Sequence, residues 1–314
     1  MHTLILWRCI PPQTSSIHTH SVILCHGFAS NRYTFDLQPD VSVADLLATK
    51  GWDTWVLELR GSGKSKNSGP PGTDDSWHFE DHIEDVRAII EKVYSVTKNP
   101  VHIVGHSLGS MLVQCACAGE SGKNGLIRSG VSIAGTFLMP ETEWKRFLWL
   151  WPVIQHFNTI HPEYIQEFLA PMSFRLNTPW DQLFFCSENV DHRIARDMFR
   201  KNWEPIPVSL ISQLRSVVEP SGLCSKDGSK AYVDLLPSIK IPMLLCTGTS
   251  DEQCPPVCMQ RAKSLIPNST HVCFGKKYGH RNDYGHFDLI VGLNAKNEVW
   301  DVISDFLEKN DEPI

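Results

Sequence analysis

The chain has 314 residues, which is long enough to bury a large core in one big domain or two smaller ones. Hydrophobic residues make up 42% and charged residues 20%, so the composition argues against a disordered or coiled-coil chain. The net charge of −6, without a basic block, argues against a nucleic-acid partner. The longest apolar run, Phe147 to Ile154, is far shorter than the roughly 20 residues that span a bilayer, so no transmembrane segment is expected.

The amino-terminal residues do not have the pattern of a secretion signal. Their apolar stretch covers only residues 4–7, no basic region precedes it, and Arg8 interrupts it. We therefore expect a cytoplasmic protein whose ten cysteines are reduced thiols, many of them in core positions.

Two patterns alternate along most of the chain: short apolar runs typical of buried strands, and three- and four-residue spacings typical of helices. In chain order they predict a strand at 22–25, a helix at 40–50, a strand at 54–59, a helix at 79–96, a strand at 101–104, a helix from 110 and a strand at 130–134. The alternation resumes with a strand at 241–246, a helix at 255–265, a strand at 271–274 and a last helix at 298–307. Strands separated by helices indicate a parallel sheet covered on both faces.

The interruption between these two series predicts an inserted cap at residues 138–235, with residues 1–137 and 236–314 forming the core. The cap holds 14 of the 30 aromatic residues of the chain. Two compatible interpretations are open: a small second core of packed helices, or an apolar lid over a hydrophobic substrate.

The segment Gly105-His106-Ser107-Leu108-Gly109 carries the strongest chemical signal. It fits the pattern G-x-S-x-G, follows an apolar strand and precedes a helical stretch, which is the context that this motif requires. A serine in such a sharp turn has a strained backbone and an exposed hydroxyl, and side chains two residues away would collide, so both are glycine. We predict that Ser107 is a nucleophile and that its neighbours shape the turn.

A serine hydroxyl needs a base, and the base needs an orienting acid. In this architecture the acid follows a late strand, where Asp251 fits and the adjacent Glu252 is the alternative. The base belongs in the loop after the final strand, where His286 and His280 compete. We favour His286 because an apolar helix could begin directly behind it, whereas His280 lies in a charged, polar stretch.

The reaction also needs hydrogen-bond donors for a developing oxyanion. The backbone N–H of Leu108 is one candidate because it opens a helix, and the N–H of Phe28, in the loop after an early strand, is the other. Gly27 would let the backbone approach the substrate carbonyl. We interpret His26 as a residue that positions this loop.

Other features of the sequence carry less information. Gly61 to Ser65 looks like a phosphate-binding loop, but Glu58 occupies the position where the full motif needs a glycine. His18 and His20 are expected in an exposed hairpin. The sequence shows no cofactor fingerprint and no metal-binding cluster, so neither a cofactor nor a metal is expected.

The chain resembles the α/β-hydrolase superfamily over about residues 20–136 and 240–310. The segments that carry the resemblance are the His26-Gly27 loop, Glu58 to Ser65, the elbow around Ser107, the turn from Thr247 to Asp251, and Gly285 to Gly292, which is similar to an H-L-D-F-I-W-G segment of acid lipases. The resemblance implies an α/β-hydrolase fold: an eight-stranded, mostly parallel sheet flanked by helices, with the cap inserted after the sixth strand. It also supports the base role of His286.

The residues and the resemblance together predict a serine hydrolase that cleaves a carboxylic ester of a hydrophobic substrate, a small-molecule ester or acyl compound, through an acyl-enzyme. An acyltransferase, a thioesterase or a carbon–carbon bond hydrolase would use the same three residues, because the fold does not fix the chemistry. The alternative from another class is a ligand-binding protein of this fold with slow or no turnover.

Overall fold

The computed structural model describes residues 3–13, 17–66, 76–164 and 178–311. Its strands are β1 (Ile5–Cys9), β2 (Ser21–Cys25), β3 (Thr54–Glu58), β4 (Val101–His106), β5 (Ile127–Ile133), β6 (Thr159–Ile160), β7 (Ile206–Pro207), β8 (Met243–Gly248) and β9 (Ser269–Phe274). Within the described residues, seven of these strands form one sheet in the order β1-β3-β2-β4-β5-β8-β9, and β6 pairs with β7 as a separate ribbon.

The seven-stranded sheet is parallel except at one edge, where β1 pairs antiparallel with β3. The predicted mostly parallel sheet flanked by helices is therefore confirmed. The expected number of eight strands is wrong for the described residues. Their sheet has seven strands, and a single strand, β1, comes before β2 in the chain. For the same reason the inserted segment leaves the sheet after its fifth strand in chain order, β5, and returns at β8.

Helices cover both faces of the sheet and lie near the predicted positions. The α-helices are α1 (Val43–Thr49), α2 (Phe79–Thr97), α3 (Leu108–Ala118), α4 (Glu120–Lys123), α5 (Trp151–Ile154), α6 (Pro179–Phe184), α7 (His192–Lys201), α8 (Val208–Leu214), α9 (Pro256–Leu265), α10 (Asp288–Val291) and α11 (Ala295–Lys309). Short 3-10 helices cover residues 32–34, 39–41, 63–65, 143–150, 215–218, 232–238 and 276–278.

Local signals explain where the long elements begin and end. Ser42 accepts the N–H of Asp45 at 3.0 Å as the N-cap of α1, and Gly51 follows the end of that helix with a φ of 97°. In α2, Ile90 and Val93 belong to a buried apolar face at helical spacing. The strands β2 and β4, in the middle of the sheet, are buried along their whole length, as expected of parallel strands covered on both sides.

The segment between β5 and β8 consists of short helices and the β6–β7 ribbon. Its aromatic rings pack edge to face: the centroids of Trp144 and Trp180 lie 6.4 Å apart, and those of Phe147 and Trp180 lie 5.7 Å apart. This packing agrees with a small second core. Residues 165–177 of the predicted cap lie outside the described residues, and the division into core and cap stays a prediction.

All ten cysteines lie in the described part of the chain, and each is a free thiol. Six of them are buried in the hydrophobic core around the sheet, among them Cys25, Cys115 and Cys246, where burial raises the pKa of the thiol. In the four described ranges, no helix combines the length and the hydropathy needed to cross a bilayer. The cytoplasmic location stays a prediction.

The expectation of an exposed hairpin around His18 and His20 is wrong. His20 is only 5% exposed, and Asp311, beyond the end of α11, accepts the backbone N–H groups of Thr19 and His20 at 3.0 Å each. His18 stacks on Trp52 with ring centroids 3.7 Å apart. These contacts join segments at opposite ends of the chain, so no local pattern could predict them.

Candidate active site

Ser107 lies in the turn between β4 and α3, at the carboxyl edge of the sheet. Its φ of 57° and ψ of −119° fall outside the regions that ordinary residues populate. Such strain persists only where the surrounding structure holds it. Here the N–H of Ser107 donates to the carbonyl of Ile133, on the neighbouring strand, at 2.8 Å.

Glycines let other backbone segments approach this turn. A β-carbon at Gly105 would lie 2.1 Å from the carbonyl oxygen of Gly109, and one at Gly109 would lie 2.2 Å from the carbonyl oxygen of Cys25. A β-carbon at Gly27 would lie 2.8 Å from that of Ser107. A larger residue at position 27 or 109 would therefore push the loop after β2 and the turn after β4 apart, and one at position 105 would distort the turn itself.

His286 and Asp251, from the loops after β9 and β8, are in direct contact. Nδ1 of His286 lies 2.9 Å from Oδ2 and 3.1 Å from Oδ1 of Asp251, and both residues are buried. The N–H groups of Gln253 and Cys254 donate to Oδ1 of Asp251 at 2.9 Å each, which orients the carboxylate. Because the carboxylate engages Nδ1, Nε2 is the ring nitrogen left for proton exchange.

The two alternative residues make other contacts. Nδ1 of His280 accepts the N–H of Gly275 at 3.2 Å, and the His280 ring packs against Phe274 with centroids 5.0 Å apart. The carbonyl of Glu252 accepts the N–H of Glu143 from the inserted segment at 2.9 Å. The structure thus brings His286, and not His280, to the carboxylate of Asp251.

The two N–H groups predicted to stabilise an oxyanion belong to residues beside Ser107. Leu108 is the first residue of α3, where a backbone N–H has no acceptor within its own helix and carries partial positive charge. Phe28 lies in the loop after β2. Phe28, Ser107 and Leu108 line the same cavity, so the geometry is compatible with this pair of donors.

Two buried histidines hold the surrounding loops together. Nε2 of His26 accepts the N–H of Leu59 at 3.1 Å, and Nδ1 lies 3.0 Å from the carbonyl oxygen of Gly27. Burial lowers the pKa of His26 to about 4, so its ring is neutral. Nε2 of His106 donates to the carbonyl of His286 at 3.1 Å, and burial lowers the pKa of His106 as well.

Asp288 is a candidate positioning residue that the sequence alone presents only as a helix-start carboxylate. Its side chain is fully buried, and its Oδ2 accepts the N–H of Gly285 at 2.6 Å and that of Cys186 at 2.7 Å. These bonds join the loop of His286 to the inserted segment. Burial raises the pKa of Asp288 to about 8. Cys186 lies 102 residues away, so no local signal could identify the contact.

An apolar cavity of about 440 Å³ includes Ser107 in its wall. Aromatic residues of the inserted segment contribute much of the lining: Trp144, Phe147, Trp151, Trp180 and Trp203. Lys145 and Arg215 are the charged residues among those that line it. The aromatic residues of the predicted cap therefore pack against one another and also enclose space beside the candidate nucleophile.

A larger depression, of about 790 Å³, lies on the outer surface against α1, α7 and α11 and is lined by many polar and charged side chains. The residues that line it include none of the predicted site residues, so the cavity at Ser107 is the candidate site. Within the described ranges, three metal-ligand-type side chains come together in one cluster, which lies at the opposite edge of the sheet.

Comparison with known proteins gives the class of the chain. A sequence model described as the alpha/beta hydrolase fold matches residues 20–293. Because this match covers most of the chain, the protein belongs to the α/β hydrolase fold family. The strand–turn–helix context of Ser107 agrees with this family.

Individual relatives show which proteins of this fold the chain is similar to. Lipase 1 of Drosophila melanogaster is 24% identical over 308 residues, covering 88% of this chain and 69% of that protein. Triacylglycerol lipase 1 of Arabidopsis thaliana is 22% identical, covering 89% and 77%. The solved structure of a Paleococcus ferrophilus monoacylglycerol lipase has a TM-score of 0.63 at 16% identity, covering 98% and 99%, which shows the shared fold. The chain is thus a lipase- and esterase-like α/β hydrolase.

Asp288→Asn should change how the stability of the protein depends on pH. The pKa of about 8 keeps Asp288 protonated in the folded protein, while the unfolded chain ionises it near its ordinary value. Stability from this group is therefore complete below the unfolded pKa and falls as pH rises toward the folded pKa. Asparagine accepts the same N–H groups without titrating. Relative to wild type, the variant should gain on the order of 1 kcal/mol in unfolding free energy per pH unit across this window.

Urea denaturation of both proteins at several pH values between about 5 and 8 measures this difference. Asp305→Asn, at an exposed position on α11, is the control and should show a constant offset from wild type. Parallel pH profiles for wild type and Asp288→Asn would contradict the raised pKa.

Proposed function

We propose that the protein is a serine hydrolase that cleaves a carboxylic ester with a hydrophobic acyl or alcohol part. The observation that carries this proposal is the buried contact of 2.9 Å between His286 and Asp251, two residues that the sequence order Ser–Asp–His predicts as partners of Ser107. The bond from His106, the residue before Ser107, to the carbonyl of His286 supports the proximity of the base to the turn.

The proposed reaction uses these residues in two halves. The hydroxyl of Ser107 attacks the acyl carbon while its proton passes to Nε2 of His286, and Asp251 stabilises the charged imidazole. The carbonyl oxygen takes the displaced electron pair and receives hydrogen bonds from the N–H groups of Phe28 and Leu108. The alcohol leaves with the proton from His286. Water then attacks the acyl-enzyme through the same base, which releases the acid and restores the hydroxyl.

The cavity supports the hydrophobic part of the proposal. Its lining combines the wall of α3, through Met111, with aromatic and aliphatic residues of the inserted segment such as Trp151 and Leu214. Each methylene group that a substrate buries against such a lining contributes about 0.8 kcal/mol to its binding. No cofactor is needed for the reaction. Acyl transfer, thioester cleavage and ligand binding without turnover are the alternatives to this proposal. Product analysis with competing alcohols or thioesters separates the first two from ester hydrolysis.

Ser107→Ala should lower the rate of p-nitrophenyl ester hydrolysis by at least about a thousandfold, because the acyl-enzyme can no longer form. The matched control is Ser110→Ala, three residues along the same segment. The hydroxyl of Ser110 donates to the carbonyl of Gly135 at 2.6 Å, so its loss should reduce stability by about 1 kcal/mol and leave turnover within a few fold. Circular dichroism verifies that both variants fold.

Substantial hydrolysis by folded Ser107→Ala would refute the nucleophile. Failure of a fluorophosphonate probe to label Ser107 in the wild-type protein would favour the ligand-binding alternative instead.

The rate constant kcat/KM should rise about fourfold for each methylene added to the acyl chain until the cavity is filled. A series of p-nitrophenyl esters from acetate to decanoate measures this dependence. A flat series with an active enzyme would refute the hydrophobic acyl site and leave the nucleophile assignment standing.

Leu214→Trp should shorten the preferred acyl chain, because the larger ring occupies part of the cavity. We expect the ratio of kcat/KM for decanoate to that for acetate to fall by about tenfold or more, as for the loss of two methylene contacts. Leu293→Trp, at a position that is 58% exposed and outside this cavity, is the control and should leave the ratio unchanged. Equal ratios in both variants would contradict binding of the acyl chain against Leu214.

A further inference from the structure

Three side chains with metal-binding atoms meet at the amino edge of the sheet. His20 directly precedes β2, His102 is the second residue of β4, and Asp311 follows α11. Their ligand atoms all lie within 4.8 Å of one another. Nδ1 of His20 is 2.8 Å and Nε2 of His102 is 3.5 Å from Oδ1 of Asp311. Both histidines are buried.

The carboxylate of Asp311 is oriented by the backbone. The N–H of His20 donates to Oδ1 and the N–H of Thr19 donates to Oδ2, each at 3.0 Å, and Nδ1 of His18 lies 3.3 Å from Oδ2. These bonds fix the direction of the carboxylate.

His102 has the orientation of a metal ligand. Its Nδ1 lies 2.7 Å from Oγ of Ser129 on β5, the kind of second contact that metal-binding imidazoles make. In the tautomer with a proton on Nδ1, Nε2 presents a lone pair toward Asp311. This nitrogen is buried and has no hydrogen-bond partner among the described residues.

We propose that His20, His102 and Asp311 form a binding site for a divalent transition metal of the zinc class. The protein ligands are Nδ1 of His20, Nε2 of His102 and the carboxylate of Asp311, and water completes a tetrahedral shell. Two imidazoles and a carboxylate are ligands that zinc prefers, whereas magnesium and calcium need mostly oxygen. The sequence pattern indicated no metal cluster because His20 and Asp311 lie 291 residues apart.

The competing occupant of the cluster is a proton between His20 and Asp311. Their separation of 2.8 Å is a hydrogen-bond length, and tetrahedral zinc with bonds of about 2.0–2.1 Å would hold two donors about 3.3 Å apart, so this pair must open by roughly half an ångström. The separation of 3.5 Å between His102 and Asp311 already suits a metal. Arg128 donates from Nε to the carbonyl of Asn310, the residue before Asp311, at 2.7 Å, and its positive charge opposes a second cation nearby.

The unpartnered Nε2 of His102 favours a metal ion over a shared proton as the occupant of the cluster. A proton shared by His20 and Asp311 leaves Nε2 of His102 without a partner, and a buried polar atom in that state costs about 1–3 kcal/mol. A metal ion satisfies both imidazoles and the carboxylate together. Its ligands come from β4, from the segment before β2 and from the segment after α11, so binding would join these three segments at the amino edge of the sheet.

Zinc binding to the chelator-treated full-length protein tests the proposal. We expect one zinc ion per chain by isothermal titration calorimetry and a melting temperature that rises by a few degrees in excess zinc. Cobalt substitution should give the absorption of a tetrahedral site with nitrogen and oxygen ligands. Hydrolysis of p-nitrophenyl esters should be the same with and without zinc, since the cluster lies at the edge opposite Ser107.

Asp311→Asn and His102→Gln should each weaken zinc binding by at least about tenfold while keeping the fold and ester hydrolysis. The matched control is His161→Gln, which removes a histidine from an exposed histidine–carboxylate pair with Glu163 at 2.9 Å. This control should bind zinc as wild type does.

Three results would overturn the proposal. One is the absence of binding at micromolar zinc, which would leave only a proton in the cluster. Another is wild-type affinity in folded Asp311→Asn. The third is a strong thiolate-to-cobalt absorption band, which would place the metal on cysteines.

Discussion

Close packing of two backbone segments at the carboxyl edge of the sheet is the constraint on which the candidate site depends. The strands β2 and β4 pair in register with Cys25 opposite Gly105, so the loops that follow them are neighbours. Glycine at positions 27 and 109 removes the β-carbons that would collide there. The strained turn of Ser107 is therefore held in place by strand register and backbone contacts before any catalytic group acts.

The acid and the base depend on a second set of contacts, which cross from the sheet to the inserted segment. Gln253, beside Asp251, accepts the indole N–H of Trp144 at 2.8 Å and donates to the carbonyl of Leu183 at 2.9 Å. The carboxyl group of Asp288 joins the loop of His286 to the same segment. A rearrangement of the inserted segment would therefore alter the positions of the acid and the base as well as the width of the cavity.

The sequence predicts features that depend on neighbours along the chain and misses those that depend on distant contacts. The elbow around Ser107 could be found because its steric requirement, glycine two residues away on each side, is local. The order of acid and base along the chain then narrowed the choice to Asp251 or Glu252 and to His286 or His280, and the apolar stretch behind His286 favoured that histidine. In contrast, Asp288 and Asp311 are anchored by backbone N–H groups from remote segments, and no spacing in the sequence records those contacts. The number of strands also depends on pairing at the sheet edge, which periodicity does not define.

The two ends of strand β4 lie in different surroundings. His102 lies near the amino end of β4 and Ser107 follows its carboxyl end, so the length of the strand, roughly 16 Å in extended chain, separates the two sites. The carboxyl edge must hold a strained backbone beside an open cavity, and strain persists only where the rest of the structure outweighs it. His20, His102 and Asp311 do not line the cavity at Ser107, so their contacts act on the amino ends of β2 and β4 and not on the chemistry of the site.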